Sequence, residues 1–453
     1  MPAPGLGVSG GALHELRADI SGEVIGPGES GYDRCRSVFN QMVDGRPAAI
    51  VRCRSAEDVG SALAFRAEHD LPVAVRSGGT SDHATVDDGI VIDISPMKSV
   101  EIDAAARIAR IGPGLTWGEF DAATQQHGLA VTGGRVSGLG VAGVALGGGT
   151  GWLERMFGPT CQSLIGAEVV LADGQVERAS ETSTPDLLWA LRGGGGNFGV
   201  VTELVFRLHP VGPRLLAGLM TYPRERVGEV ARFYRDYLEA APDELGGGLL
   251  LFPGRGGALT VAFCFVGAIE DAERMLKPLR ELRPSMDAVA PNDYRAFQRV
   301  TDLQNPFGMR ACLRGGFVRE LTGEALERAI ARANQPASSL SHVMLRPMGG
   351  AMSRLDHGEM ALRVPDARWS YECRSLWPPV PSLDHGNIEW TKGFADEMEP
   401  FTMDGTYPSL IGSDRGEEQL VACYGSDGYA KLRRLKARYD PENVFRLNPN
   451  VQP

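Results

Sequence analysis

The stretch GGRVSGLGVAGVALGGGTG, residues 133–151, decides how this chain is read. Nine of its nineteen residues are glycine, a density that neither a regular helix nor a strand tolerates. A backbone kept bare over that length suits close approach to a ligand, and its unhindered N–H groups suit a pyrophosphate. RSGGTS at 76–81 offers a second set of such groups. Either segment alone is explained as well by glycines needed for tight turns; the two together carry the argument.

Working outward, the flanks alternate between short apolar strands and helices. PAAIVRCRS (47–55) reads as a strand, SAEDVGSALAFRAEHD (55–70) as a helix capped by Ser55 with acids in its first turn, and PVAVRSGG (72–79) as a strand ending on glycines. GIVIDIS and RIARIGPG follow as strands, then a helix from Thr116 with Trp117, Phe120 and Ala123 on one face. After His209-Pro210 the pattern becomes a strand at 215–222, a helix at 225–241, strands near Leu249 and Leu259, and a helix at 269–282. The helix at 225–241 lines up Val227, Val230, Tyr234, Tyr237, Leu238 and Ala241, which predicts packing on a sheet. YAKLRRLKARY near the end reads as a helix with Leu432, Leu435 and Tyr439 inward and Lys431, Arg434 and Arg438 in water.

Two nucleotide motifs are excluded. RGGGGNFG contains Gly194-x-Gly196-x-x-Gly199, but the residues before it, TPDLLWALR, are helical in pattern where the dinucleotide fingerprint needs a strand. No G-x-x-x-x-G-K-[ST] sequence is present, so there is no P-loop. Composition narrows the classes further. With 46 Lys+Arg against 57 Asp+Glu the net charge is −11, which argues against a general nucleic-acid or anionic-membrane binder. Seven scattered cysteines without a Cys-x-x-Cys pair argue against a metal or redox site and fit a reducing compartment. No run approaches the roughly 18 apolar residues of a membrane helix, and MPAPGLGVSGGALHEL lacks a leader pattern. The expectation is a cytoplasmic, soluble protein. At 453 residues the length prior is about three domains, and the pattern change near 210 predicts two.

RSGG at 76–79, VIDIS at 91–95, GVAGVALGGGTGW at 140–152, AEVVLADG at 167–174, LLWALRGGGGNFGVVT at 187–202 and YDPENVFRLNPNVQP at 439–453 occur in the order of one known family. Over nearly its whole length the chain resembles the berberine-bridge-enzyme-like flavin oxidases, whose FAD-binding domain is of the p-cresol methylhydroxylase and vanillyl-alcohol oxidase type. The resemblance implies an α+β fold: a two-subdomain FAD-binding domain over 1–210, an α+β substrate domain with an antiparallel sheet over 211–410, and a C-terminal return, 411–453, that completes the first. It implies that Arg76, Ser77, Gly78, Gly79, Thr80 and Ser81, with Gly138, Gly140, Val141, Gly143, Gly147, Gly148, Gly149 and Gly151, wrap the FAD pyrophosphate. Val200 and Val201 then present backbone near the adenine, and Asn448 closes the flavin side.

The chain departs from the family where the flavin reacts. Thr80 stands where members commonly carry a flavin-linking histidine, and Val136 where many carry a linking cysteine. His83 lies three residues on, in a shortened loop, and Cys161 is read as a buried thiol. FAD is therefore expected without a covalent bond. Gln162-Ser163 replace Asp-Asn, Val364-Pro365 replace a His-Arg pair, and Tyr407-Pro408-Ser409-Leu410 replace Tyr-x-Asn-Tyr, whose last tyrosine is often the base. Tyr407 remains, with Tyr371, Glu372 and His357 in the same domain as the other candidate catalytic residues. The expected function is an FAD-dependent oxidoreductase acting on a small or medium organic secondary metabolite, with O2 as acceptor and no metal. The alternative is a redox-neutral cyclase on the same flavin-bound scaffold, working through enforced proximity; a non-catalytic flavin binder ranks third. Substrate identity and oligomeric state carry no motif.

Overall fold

The computed structural model describes residues 8–252, 258–411 and 416–453; residues 1–7, part of the N-terminal segment read above, lie outside it. Among the described residues three larger sheets organise the chain, beside a two-stranded pairing of Leu129–Ala130 with His209–Pro210. The first has four strands in the order Glu23–Ile25, Ala49–Arg52, Ile90–Asp93, Val73–Arg76, antiparallel at its first pair and parallel thereafter. Its parallel part is why AIVR and IVID are apolar without alternation: strands joined by a helical crossover are covered on both faces. The crossover helix, Ala56–Glu68, starts where Ser55 Oγ accepts from the Asp58 amide at 3.3 Å, as the sequence predicts.

The second sheet is antiparallel, in the order Val100–Asp103, Ile108–Ile111, Val200–Arg207, Leu164–Val170, Val176–Ser180. The helix Trp117–Thr124 packs against it, opened by a capping box of Thr116 and Glu119. Trp117, Phe120 and Thr124 form its buried side. The C-terminal helix Glu417–Tyr439, broken at Gly425, returns to this half: Leu420, Tyr424, Leu432, Leu435 and Tyr439 join its core. Val444 and Phe445 beyond it join the core of the first sheet, so the tail binds the two halves together.

The third sheet takes the centre of the chain. Its order is Met286–Asp287, Arg214–Tyr222, Ala258–Phe265, Leu245–Phe252, His342–Pro347, Trp369–Trp377, Arg310–Val318, with Ala290–Asp293 also paired to Arg214–Tyr222. All these pairings are antiparallel. Helices Val227–Glu239, Gly323–Ala333 and Asp384–Met398 cover one face, where Val230, Tyr234, Leu326, Trp369, Tyr371, Cys373 and Phe394 form one core. The two-residue period of a strand turns Ser370, Glu372 and Arg374 to the other face, toward the glycine-rich segment.

Candidate active site

Strand Val73–Arg76 runs into the turn at 77–81, and the helix Val141–Leu146 starts at Gly140. The two glycine segments meet backbone to backbone. A Cβ on Gly78 would lie 2.5 Å from the Gly140 nitrogen, and one on Gly140 would lie 2.6 Å from the Gly78 nitrogen, so only glycine fits at either position. Gly79 has φ +65°, which an L side chain rarely adopts, and Arg76 lies beside it, donating through Nη1 to the Ser37 carbonyl at 2.6 Å. Ser77 Oγ donates to the Pro113 carbonyl at 2.7 Å. Among the described residues the amides of Gly78, Gly79, Thr80, Ala142 and Gly143 donate to no backbone carbonyl. Beyond chain neighbours and the helix's own backbone, no described residue lies within 4 Å of where a Cβ would stand on Gly138 or Gly143. Free donors around a bare backbone with open space beside it fit a pyrophosphate.

The C-terminal tail packs on the RGGGGNFG loop, whose Gly195 amide donates to the Leu146 carbonyl at the end of the helix Val141–Leu146. Lys436, buried in the last helix, donates to Asp440 Oδ2 at 2.7 Å, the Asn197 carbonyl at 2.8 Å and the Phe445 carbonyl at 3.0 Å. It thereby ties the RGGGGNFG loop to the tail. Asn448 donates to the Gly196 carbonyl at 3.3 Å while its own Oδ1 is buried and unpartnered among the described residues, as is Asn450 Oδ1. Val200 and Val201 start the central strand of the second sheet with buried side chains, leaving only their backbone to face a ligand.

Gly147 to Gly151 do something different. A Cβ on Gly148, whose φ is +103°, would meet Leu362 Cδ2 at 2.8 Å and Tyr407 Cδ1 at 3.5 Å; one on Gly149 would strike Thr160, and one on Gly151 the Gly133 backbone. This end of the segment therefore faces the third sheet. There Thr150 Oγ1 accepts from Arg135 Nη1 at 3.0 Å and from Arg346 Nη1 at 2.9 Å. Arg135 pairs with Glu154 at 2.6 Å and lies over the Trp152 ring. Arg346 bonds Ser370 Oγ at 3.2 Å and stands 3.8 Å from Glu372, which pairs with Arg374 at 2.9 Å. Burial alone would raise the Glu372 carboxyl, but Arg374 and Arg346, then His342 and Arg135, bring it down to about 2.

Tyr407 sits at the centre of this junction. It is 2% exposed, packs on Phe317 with ring centroids 5.0 Å apart, and lies 5.9 Å from the Arg346 guanidinium. Its hydroxyl is buried without a partner among the described residues. Burial, reinforced by Glu154, lifts its pKa well above the usual 10 despite Arg346 and Arg135. Tyr407 is thus a protonated donor at neutral pH.

The structure places Tyr407 and Glu372 both beside Arg346 and sets the other two expected catalytic side chains apart. Tyr371 points the opposite way from Glu372, into the core against Phe394, because adjacent strand residues face opposite sides. His357 is exposed on a loop. Thr80 is exposed, and His83 is partly buried with its amide on Ser81 Oγ at 3.2 Å. Sequence reasoning missed Arg135, Glu154, Thr150, Arg346 and Arg374. The available signal was an arginine inside the otherwise apolar VMLRP strand, and the alternation that puts Arg374 beside Glu372.

Residues 47–180 match the family model of the FAD binding domain, and residues 394–452 the model described as berberine and berberine like. The (R)-6-hydroxynicotine oxidase of Paenarthrobacter nicotinovorans is 31% identical over 96% of this chain and 97% of its own. The chain belongs to the berberine-bridge-enzyme-like family of FAD-linked oxidoreductases. Among solved structures, 6-hydroxy-D-nicotine oxidase from Arthrobacter nicotinovorans superposes on this oxidoreductase with a TM-score of 0.89, at 28% identity over 96% of this chain and 98% of that one. Physcomitrella patens BBE-like 1 shares the fold, with a TM-score of 0.85 at 21% identity over 97% and 99%. The cofactor of this berberine-bridge-like enzyme is FAD. No helix among its described residues is long and apolar enough to cross a membrane.

Proposed function

We propose that this enzyme oxidises a small or medium organic molecule, a secondary metabolite, held between the glycine-rich segment and the third sheet, and passes the electrons to O2. Residues 1–210 with 411–453 hold FAD; residues 211–410 hold the substrate. FAD supplies the acceptor for a hydride equivalent from the substrate carbon. Gly78, Gly79, Thr80, Ala142 and Gly143 offer amides to the pyrophosphate, and Thr80 and Val136 leave the flavin without a covalent link at those positions. The observation that carries the reading is the junction at Tyr407. The Tyr407 ring there adjoins both the glycine loop and Arg346 on the polar face of the sheet, and its hydroxyl is buried and unpartnered among the described residues. Its hydroxyl donates to the substrate and orients it, while Phe317 and the apolar side chains of Met348, Met360 and Leu362 around the tyrosine keep water out.

The experiment is anaerobic mixing of the yellow holoenzyme with candidate substrates. Bleaching of the flavin band on substrate addition, reversed by air, is the expected result. Product formed without bleaching overturns the oxidase reading in favour of redox-neutral chemistry.

A further inference from the structure

We propose that the substrate carries a carboxylate, which Arg346 and Tyr407 hold. The proposal rests on the reading of this junction as the substrate face. Among the described residues three guanidiniums, Arg135, Arg346 and Arg374, gather there around two carboxylates, Glu154 and Glu372. Arg135 has Glu154 at 2.6 Å and Arg374 has Glu372 at 2.9 Å, whereas Arg346 has only the far oxygen of Glu372 at 3.8 Å. Among the described residues one positive charge is left over.

The hydrogen-bond inventory agrees with the charge count. Arg346 is 2% exposed; its Nε goes to Ser370 and its Nη1 to Thr150, but Nη2 is buried and without a partner among the described residues. Thr150 Oγ1 accepts from Arg135 as well, so two cations converge on one neutral oxygen. Like charges this close in a buried setting repel, and Arg346 accordingly opposes the protonated form of Arg135. His342, on the same face, is pushed by burial toward its neutral form. The Tyr407 hydroxyl is a second unused donor.

An uncompensated buried cation with unused donors around it is costly unless an anion arrives. A carboxylate supplies the missing charge and presents one oxygen to Arg346 Nη2 and one to the Tyr407 hydroxyl. A neutral alcohol leaves the excess charge in place, and a cationic amine without an acid group adds to it. The acid group anchors the substrate; oxidation takes place at another of its carbons.

The test uses oxidised holoenzyme and ligands that cannot be oxidised, so that it is independent of turnover. Benzoate, phenylacetate and benzamide are titrated while the flavin absorption band is followed. The expected result is saturable perturbation by a carboxylate, at least tenfold tighter than by benzamide. Arg346→Gln weakens carboxylate binding tenfold or more without changing benzamide binding, and Arg346→Lys recovers part of the loss. Equal affinity for carboxylate and amide in the wild-type enzyme, or no carboxylate binding, overturns the proposal, and this comparison decides even if Arg346→Gln does not fold. Wild-type carboxylate affinity in a folded Arg346→Gln that has an altered flavin potential also overturns it, and assigns the charge to the reduced cofactor. Failure here leaves bleaching by neutral substrates intact; failure to bleach leaves the binding of inert acids intact.

Discussion

Tyr407 combines a large apolar contact with a single polar atom, and the two are separable. Tyr407→Phe keeps the packing on Phe317 and the fit against Gly148 while removing the unpartnered hydroxyl. Loss of a hydrogen bond to a charged group is worth about 1.5–3 kcal/mol, so kcat/KM for anaerobic flavin reduction falls roughly 10- to 100-fold with flavin content unchanged. Stopped-flow reduction by substrate checks this, and unchanged kinetics remove Tyr407 from the site. Glu372 gives a pH signature of stability. Its folded-state pKa of about 2 lies below its ordinary 4.5, so the stability it contributes is present above about pH 4.5 and is lost as pH falls toward 2. The full contribution is on the order of 3 kcal/mol. Glu372→Gln therefore flattens the fall of Tm between pH 5 and 3, read by calorimetry of variant and wild type. At this scale the sequence was half legible. Tyr407 and Glu372 were reachable from a degenerate motif and its domain, whereas Arg135 and Glu154 lie nineteen positions apart and meet only through the fold.

Between the glycine segments the element geometry separates two roles that the sequence runs together. Gly147 to Gly151 press on Leu362, Tyr407, Thr160 and Gly133, so substitutions there strain the protein itself. Gly143 is different: beyond its own helix and chain neighbours a Cβ there meets no described residue within 4 Å, and it lies on a helix, where leucine is favoured over glycine by about 1 kcal/mol. Gly143→Leu is thus expected to leave the apoprotein as stable as wild type, or slightly more so, while flavin content drops. Thermal melts of stripped protein and the absorbance ratio of purified enzyme check the two halves; a folded Gly143→Leu with full flavin places the pyrophosphate elsewhere. Element types were legible because their causes are local. Ser55 caps its helix, Val227 to Leu238 form an apolar stripe, and the unalternating apolar strands mark a sheet covered on both faces. Sheet order was not legible, since the third sheet places His342–Pro347 between strands remote in sequence, Leu245–Phe252 and Trp369–Trp377.

For the whole molecule the question is how FAD stays bound when two positions associated with covalent linkage hold Thr80 and Val136. We propose a non-covalent answer on three sides. In this reading the Gly78–Gly140 contact would be the floor, the sheet carrying Arg346 and Glu372 one wall, and the tail fastened by Lys436 the lid. All three donor protons of Lys436 are used inside the protein, joining Asn197, Asp440 and Phe445, so the tail is held by a buried polar knot. Retention that depends on this closure must end when the fold ends. Acid precipitation is therefore expected to leave a colourless pellet and a yellow supernatant, with the denatured chain at its unmodified mass by mass spectrometry. Neither of the other nucleophiles near enough in sequence to compete offers a good tether. Burial pushes the Cys161 thiol up to about 12, far from the reactive thiolate, and His83 lies in a loop shortened relative to the family's. A polypeptide mass that includes FAD overturns the non-covalent reading, and a linked peptide containing His83 would mean that the loop at 80–89 folds toward the flavin ring to replace the residue lost at Thr80.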